Sequence, residues 1–323
     1  STTSLNSQRV KAHLVTLTGL DPNATYHFRV RSRDLAGNET ISGDYTFTTH
    51  TAPDLAVGNL SATGTFTAGG NIVISWNDTN SGAGNTYTSW YDGVIVTNAT
   101  TGQTLLNTTV YFDATAGNIS SGGSRARQLN FHLPEGASGA GDLRIWVTAN
   151  IYNNQFETTL DNNRAVIQEN STLPNYPDLQ VANLMITNLS LQSGGMIGLS
   201  WQDTNSGTAA VAGSFQDRVT VVNLDTTQTL VNAGVAYDAN AAGAIGSGLS
   251  AGRQFSFALP NGSNGAGNLQ ITVTADGNNN IFEYNAGGTA EANNASSVAA
   301  ISTLAAYPDL AVTNIAVPAG AIA

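Results

Sequence analysis

Apolar side chains recur at every second position in short runs along this chain, and Gly, Asn, Asp and Ser separate the runs. A period of two sends successive side chains to opposite faces of an extended backbone, so each run reads as a β-strand with one buried face. Ile72, Ile74 and Trp76 share a face in one run, and Ile197, Leu199 and Trp201 share one in another. Val94 and Val96 pair in the same way with Val219 and Val221. Leu129, Phe131 and Leu133 answer to Phe255, Phe257 and Leu259, and Leu143, Ile145 and Val147 to Leu269, Ile271 and Val273. An opening Leu55/Val57 strand, the Leu105/Leu106 region and a closing strand near 164–167 bring each copy to about seven strands. Runs of helical period are missing.

These correspondences make the chain a tandem array. Pro53-Asp54-Leu55-Ala56-Val57 returns as Pro177-Asp178-Leu179-Gln180-Val181 and opens again as Pro308-Asp309-Leu310-Ala311-Val312. The spacing from Asp54 to Asp178 is 124 residues and from Asp178 to Asp309 is 131, the length of a whole β domain. Within the copies, Trp76-Asn77-Asp78-Thr79-Asn80-Ser81-Gly82 matches Trp201-Gln202-Asp203-Thr204-Asn205-Ser206-Gly207. The expected division is a partial domain over 1–50, repeat 1 over 53–176, repeat 2 over 177–306 and the start of a third repeat over 307–323. Pro174, Pro177 and Pro308 stiffen the joints around 170–176 and 302–307, which implies an extended all-β array of Ig-like sandwiches.

Composition narrows the function. Hydrophobic residues are 41% of the chain, enough for real cores, while charged residues are 10% and cysteine is absent. A core of roughly 120 residues needs no disulfide staple. The net charge is −11, and beyond residue 50 there is no lysine. An acidic surface argues against nucleic acid and anionic membrane and favours divalent cations. No run of about 18 apolar residues occurs, so nothing reads as a membrane insertion.

Residues 1–50 resemble the second half of a fibronectin type III domain, through Leu17-Thr18-Gly19-Leu20-Asp21-Pro22-Asn23-Ala24-Thr25-Tyr26-His27-Phe28 and the closing Tyr45-Thr46-Phe47-Thr48-Thr49. The resemblance implies a tyrosine corner, with Tyr26 bonding nearby backbone through its hydroxyl. Alternation puts Tyr26, Phe28 and Val30 on one face and His27, Arg29 and Arg31 on the other. Residues 53–306 resemble the CARDB module, a bacterial and archaeal extracellular β-sandwich related to cell adhesion. That likeness rests on the opening Pro-Asp-Leu-x-Val, a central strand leading into an Asn-x-Gly-like loop, and a closing strand pair joined by an Asp/Asn/Glu-rich loop. In this chain the family's Val-x-Asn-x-Gly is expanded to Trp-x-Asp-Thr-Asn-Ser-Gly.

Two sets of residues have the composition of a site. In repeat 2, Asp276, Asn278, Asn280 and Glu283 place oxygen side chains near Gly277, as a hard cation such as calcium requires. The counterpart in repeat 1 comprises Asn150, Asn154 and Glu157, with Asp161 and Asn163 compensating for the lost leading aspartate. Such clusters are equally the chemistry of β-turns. The second set is Asp78, Asn80 and Asp92, repeated as Asp203, Asn205 and Asp217. The aspartates flank one loop and either converge across it or cap their own turns, and turn capping is the favoured reading. Trp76 and Trp201 read as core rather than as sugar-stacking aromatics.

Catalysis finds little support. The histidines His13, His27, His50 and His132 have no counterpart in the other repeat and no ligand spacing, and no Gly-x-Ser-x-Gly elbow occurs. Eleven Asn-x-Ser/Thr sequons lie in the chain, in step with its asparagine-rich composition. The expected protein is therefore a non-enzymatic extracellular or cell-surface repeat region of a large bacterial or archaeal protein: an adhesin stalk, surface-layer component or filament subunit. Its expected partners are other copies or repeats of the same protein and cell-surface or matrix glycans. The rival reading is an accessory region of a secreted polysaccharide-degrading enzyme, which an exposed aromatic platform on one repeat favours. A third is assembly by strand complementation, since residues 1–50 and 307–317 read as incomplete sandwiches.

Overall fold

The alternating runs form strands, and the computed structural model describes them over residues 14–188, 190–316 and Gly320. His13, named above, and position 317 of the expected third repeat lie outside the described residues. Contacts divide the chain between Leu173 and Pro174, inside the proline-bearing joint.

In the first unit, β1 (Thr25–Phe28) pairs antiparallel with β4 (Tyr45–Thr48), and β2 (Arg31–Arg33) with β3 (Glu39–Ile41). The Tyr26 hydroxyl accepts the Asp21 N–H at 2.7 Å, which is the contact a tyrosine corner makes. Tyr26 and Phe28 both pack on Phe47, yet Phe28 remains 41% exposed. The expected single run from Tyr26 to Val30 is interrupted after Phe28, and Val30 falls between strands.

Repeat 1 follows with β5 (Leu55–Gly64), β6 (Asn71–Asn80), β7 (Trp90–Asn98), β8 (Gln103–Phe112), β9 (Ser124–His132), β10 (Gly141–Thr148) and β11 (Arg164–Ser171). One sheet has the order β5-β6-β9 and the other β11-β10-β7-β8. Their inner faces enclose Ile72, Ile74 and Trp76 against Val94, Val96, Leu143, Ile145 and Val147. A second cluster beside it contains Leu55, Trp90, Phe112, Ile119 and Ala149. Trp90 and Phe112 lie nearly parallel with centroids 3.8 Å apart.

Repeat 2, in the second unit, has β12 (Leu179–Ile186), β13 (Leu191–Gln192), β14 (Met196–Asn205), β15 (Phe215–Asn223), β16 (Gln228–Tyr237), β17 (Ser250–Ala258), β18 (Gly267–Thr274) and β19 (Ala295–Thr303). The sheets run β12-β14-β17 and β13-β19-β18-β15-β16, the same plan with a short parallel β13 added at one edge. Its core repeats that of repeat 1 position for position, from Ile197, Leu199 and Trp201 to Leu269, Ile271 and Val273. The chain is thus all-β, and each repeat is a sandwich of two antiparallel sheets with only short helical turns.

Residues 304–316 form no strand, and Leu310 and Val312 are almost fully exposed. A strand needs a ladder partner for its backbone groups, and this segment has none among the described residues. Tyr307 is fixed instead by repeat 2: its hydroxyl lies 2.9 Å from Ser193 Oγ and accepts the Gly262 N–H at 2.7 Å. No helix of the described residues is long and apolar enough to cross a membrane.

Candidate functional site

The period-two pattern that buries Ile72, Ile74 and Trp76 does not stop at the tryptophan. Strand β6 continues to Asn80, so Asp78 and Asn80 also point inward and are fully buried. Asp92 is buried in the same way on β7, which belongs to the opposite sheet. The two aspartates therefore converge, but across the sandwich and not as caps of their own turns. This corrects the turn-capping reading of Asp78 and Asp203, whose strands carry the alternation further than the loop residues Thr-Asn-Ser-Gly suggest.

Between the carboxyls sits the Trp76 indole, whose Nε1 donates to Asp78 Oδ1 and Asp92 Oδ2, each at 3.2 Å. Arg127 reaches in from β9, with Nε 3.5 Å from Asp78 Oδ2 and 3.3 Å from Asp92 Oδ2. Its guanidinium also donates to the Val110 carbonyl at 3.1 Å. Repeat 2 builds the same brace more tightly. Trp201 Nε1 donates to Asp203 Oδ1 at 3.0 Å and Asp217 Oδ2 at 3.1 Å, and Arg253 Nε is 2.9 Å from both Oδ2 atoms.

One guanidinium cannot neutralise two enclosed carboxylates. Burial pushes the Asp78 carboxyl up to about 8, the neighbouring Asp92 charge adds to the rise, and Arg127 opposes it. Burial likewise raises Asp203 to about 8, with Asp217 adding and Arg253 opposing. Asp92 and Asp217 are raised by burial too, but arginine and the hydrogen bond from the partner aspartic acid hold them down. Each acid pair therefore retains one proton, leaving one carboxylate for one guanidinium in each repeat.

Asn80 has a separate task. Its Oδ1 accepts the N–H groups of Asp54 and Gly82 at 3.0 and 3.1 Å, and its Nδ2 donates to the carbonyls of Gly84 and Ile119. Ser81 Oγ bonds the Asp54 carboxylate at 2.8 Å. A side chain on Gly82 would collide with the Asp54 backbone, so the glycine is needed where the loop passes the opening strand. Asn205, Ser206 and Gly207 repeat these contacts on Asp178. The expanded Trp-x-Asp-Thr-Asn-Ser-Gly motif is thus a brace followed by a clamp on Pro-Asp-Leu.

The expected calcium ligands belong to the same clamp. Glu157 Oε2 accepts the Leu55 N–H at 2.7 Å, while its Oε1 accepts Asn150 Nδ2 at 2.5 Å and Asn163 Nδ2 at 2.8 Å. Glu283 accepts the Leu179 N–H in the equivalent bond and takes Asn294 Nδ2 at 2.8 Å. Burial raises Glu157 and pushes Glu283 up to about 7. Asp276 spends both oxygens on its own turn, accepting Asn280 N at 3.0 Å and Ile281 N at 2.7 Å. Asn278 donates to Gln216 at 3.2 Å, the Asn154 carbonyl accepts Thr88 Oγ1 at 3.1 Å, and Asp161 is exposed. The carboxylates of Asp276, Glu157 and Glu283 thus already accept N–H groups of the turn and the clamp. No group of three His, Cys, Asp or Glu side chains able to hold a metal occurs among the described residues.

The remaining histidines are apart: His27 pairs with Asp44, His50 stacks on Tyr87 and His132 bonds Asn71. Of the sequon asparagines, Asn98 and Asn294 are buried.

No family model matches this chain, and no curated protein does. Among solved structures it is similar to the CARDB domain of a Pyrococcus furiosus protein crystallised in complex with di-metal ions. The identity is 19% over 42% of this chain and 100% of that one, with a TM-score of 0.29. It is also similar to red sea bream transglutaminase, with 10% identity over 78% of this chain and 31% of that chain and a TM-score of 0.27.

Proposed function

We propose that these residues form a non-enzymatic structural and adhesive region of a large extracellular bacterial or archaeal protein, built from CARDB-like sandwiches. The observation that carries the reading is the fate of the duplicated polar motifs. Asp78, Asp92 and Arg127 join the two sheets, while Asn80, Ser81 and Glu157 hold the opening strand, and their counterparts in repeat 2 do the same. The acid pairs resemble catalytic carboxylates only in composition. They are fully enclosed, so no substrate reaches them. Repetition of such units suits spanning and display.

Immunogold labelling of intact source cells with antiserum raised against residues 53–306 tests the placement. Surface label on unbroken cells is the expected result, and label confined to lysed cells would sink the reading. The accessory-region alternative draws support from exposed tyrosines on repeat 1. It requires a catalytic domain in the same reading frame, and the purified chain should hydrolyse no polysaccharide in either case.

A further inference from the structure

What the repeats share is structural, so recognition belongs to what they do not share. The outward face of the sheet β11-β10-β7-β8 is one place where they diverge. Tyr91 on β7 stands opposite Tyr111 on β8 with ring centroids 4.9 Å apart, and Tyr152 packs edge-on against Tyr91 at 5.9 Å. The three rings are 39%, 50% and 62% exposed. Further along the same face, Ile95 pairs with Trp146, and the Arg164 guanidinium lies 3.9 Å above the Trp146 ring. Arg144 is the next outward residue of β10 and is exposed.

Repeat 2 serves as an internal control, because its core and braces are the same. In its register, Gln216 and Ala236 stand for Tyr91 and Tyr111, and Thr220 and Thr272 for Ile95 and Trp146. Gln270 and Ala295 occupy the places of Arg144 and Arg164, and Asn278, bonded to Gln216, that of Tyr152. Folding therefore does not need the aromatic residues. An exposed cluster of this kind on a folded domain marks a binding surface.

We propose that this face of repeat 1 binds an acidic polysaccharide, whose sugar rings stack on Tyr91, Tyr111 and Tyr152 while Arg144 and Arg164, the latter held over the Trp146 ring, meet its carboxylate or sulfate groups. Flat rings carrying a hydroxyl suit the C–H face and polar rim of a pyranose. From Tyr91 to Ile95 the strand rises about 13 Å, so the face is long enough for several linked sugars. Gly93 and Thr148 lie between the two aromatic groups, and the half-exposed Ile151 side chain packs over Gly93, so the surface between them is apolar. Charge selects the acidic class. Only six cationic residues follow residue 50 in a chain of net charge −11, and two of them stand on this face. A guanidinium offers a planar fork to a carboxylate or sulfate. The proposal rests on the extracellular reading for the ligand's availability, but its binding test is independent of that placement.

Affinity electrophoresis of the full chain in gels containing polygalacturonate, dextran sulfate or neutral laminarin measures the interaction. Retardation by the two acidic polymers and not by laminarin is expected. Replacing Tyr91→Gln with Tyr111→Ala installs the residues that repeat 2 already carries and should weaken retardation about tenfold or more. Arg144→Gln with Arg164→Ala should abolish the preference for acidic polymers, while melting temperatures of both variants stay within a few degrees of the parent. Absence of retardation, or retardation that survives the tyrosine exchange, would overturn the proposal. Equal retardation by laminarin that ignores the arginine exchange overturns the acidic class. Sedimentation that shows a dimer lost with the tyrosines, without any retardation, would assign the face to a second copy. Any of these results leaves the labelling of intact cells to decide the extracellular reading by itself.

Discussion

Two carboxyls and one guanidinium closed inside each sandwich carry a charge of −1 if both acids ionise and none if one keeps its proton. The unfolded Asp78 carboxyl loses its proton near its ordinary value of 3.8, whereas the folded one holds it until about 8. Folding therefore retains a proton that the unfolded chain has given up, so this contribution is fully present below about pH 4 and is lost as pH rises towards 8. Asp203 repeats the dependence in the second unit. An asparagine at position 78 copies the neutral acid. Asp78→Asn should leave repeat 1 nearly as stable at pH 5 and more stable than the parent at pH 8.5, as read from thermal melts at both values. Arg127→Leu removes the cation and leaves a buried carboxylate uncompensated, which should cost about 3–5 kcal/mol at neutral pH. If Asp78→Asn is as damaging as Arg127→Leu at both pH values, the proton is not on Asp78.

At the scale of the element, the start of the opening strand is also held by loops and a strand end far along the chain. Leu55 N bonds Glu157, Asp54 N bonds Asn80, and Thr158 N bonds the Pro53 carbonyl. Glu157→Ala leaves the Leu55 N–H and one N–H each of the Asn150 and Asn163 amides without an acceptor, so a loss of about 1–3 kcal/mol is expected in denaturant titrations. Glu283→Ala should do the same in repeat 2. The calcium expectation is tested beside it: melts in EDTA and in millimolar calcium should coincide, and Asp276→Ala should lower both equally. A rise in calcium that Asp276→Ala and Glu283→Ala abolish would restore the ion to the loop. The strands themselves were legible in the sequence because alternation is a local signal, and following the alternation through Asp78 and Asn80 would also have shown them to be inward. Arg127 was harder to place. It shares its phase on β9 with Arg125, Leu129 and Phe131, so the pattern does not single it out, and its partner Trp76 is known only from the β6–β9 register. The bond from Leu55 to Glu157 spans 102 residues, and no local pattern announces it. Oxygen-rich loops look alike whether their oxygens meet a cation or backbone N–H groups.

For the molecule as a whole, the duplication means that stability is built twice. The buried clusters of repeat 1 and of repeat 2 share no residue, and each repeat closes its own brace and clamps its own opening strand. A defect in one core should therefore stay in that repeat. Trp76 is 1% exposed and supplies both the largest side chain of its cluster and the donor between the two aspartates. Trp76→Ala should cost repeat 1 about 3–5 kcal/mol through cavity formation, and the unpaired carboxyls add to that loss. In calorimetry of the full chain, the substitution should move one transition down and leave the other in place, and Trp201→Ala should move the complementary one. Limited proteolysis between the two transitions should then release the intact partner repeat. A single transition shifted as a whole by either substitution would show that the repeats unfold as one body, and retention of both transitions at the parent temperatures would show that the indoles are not core.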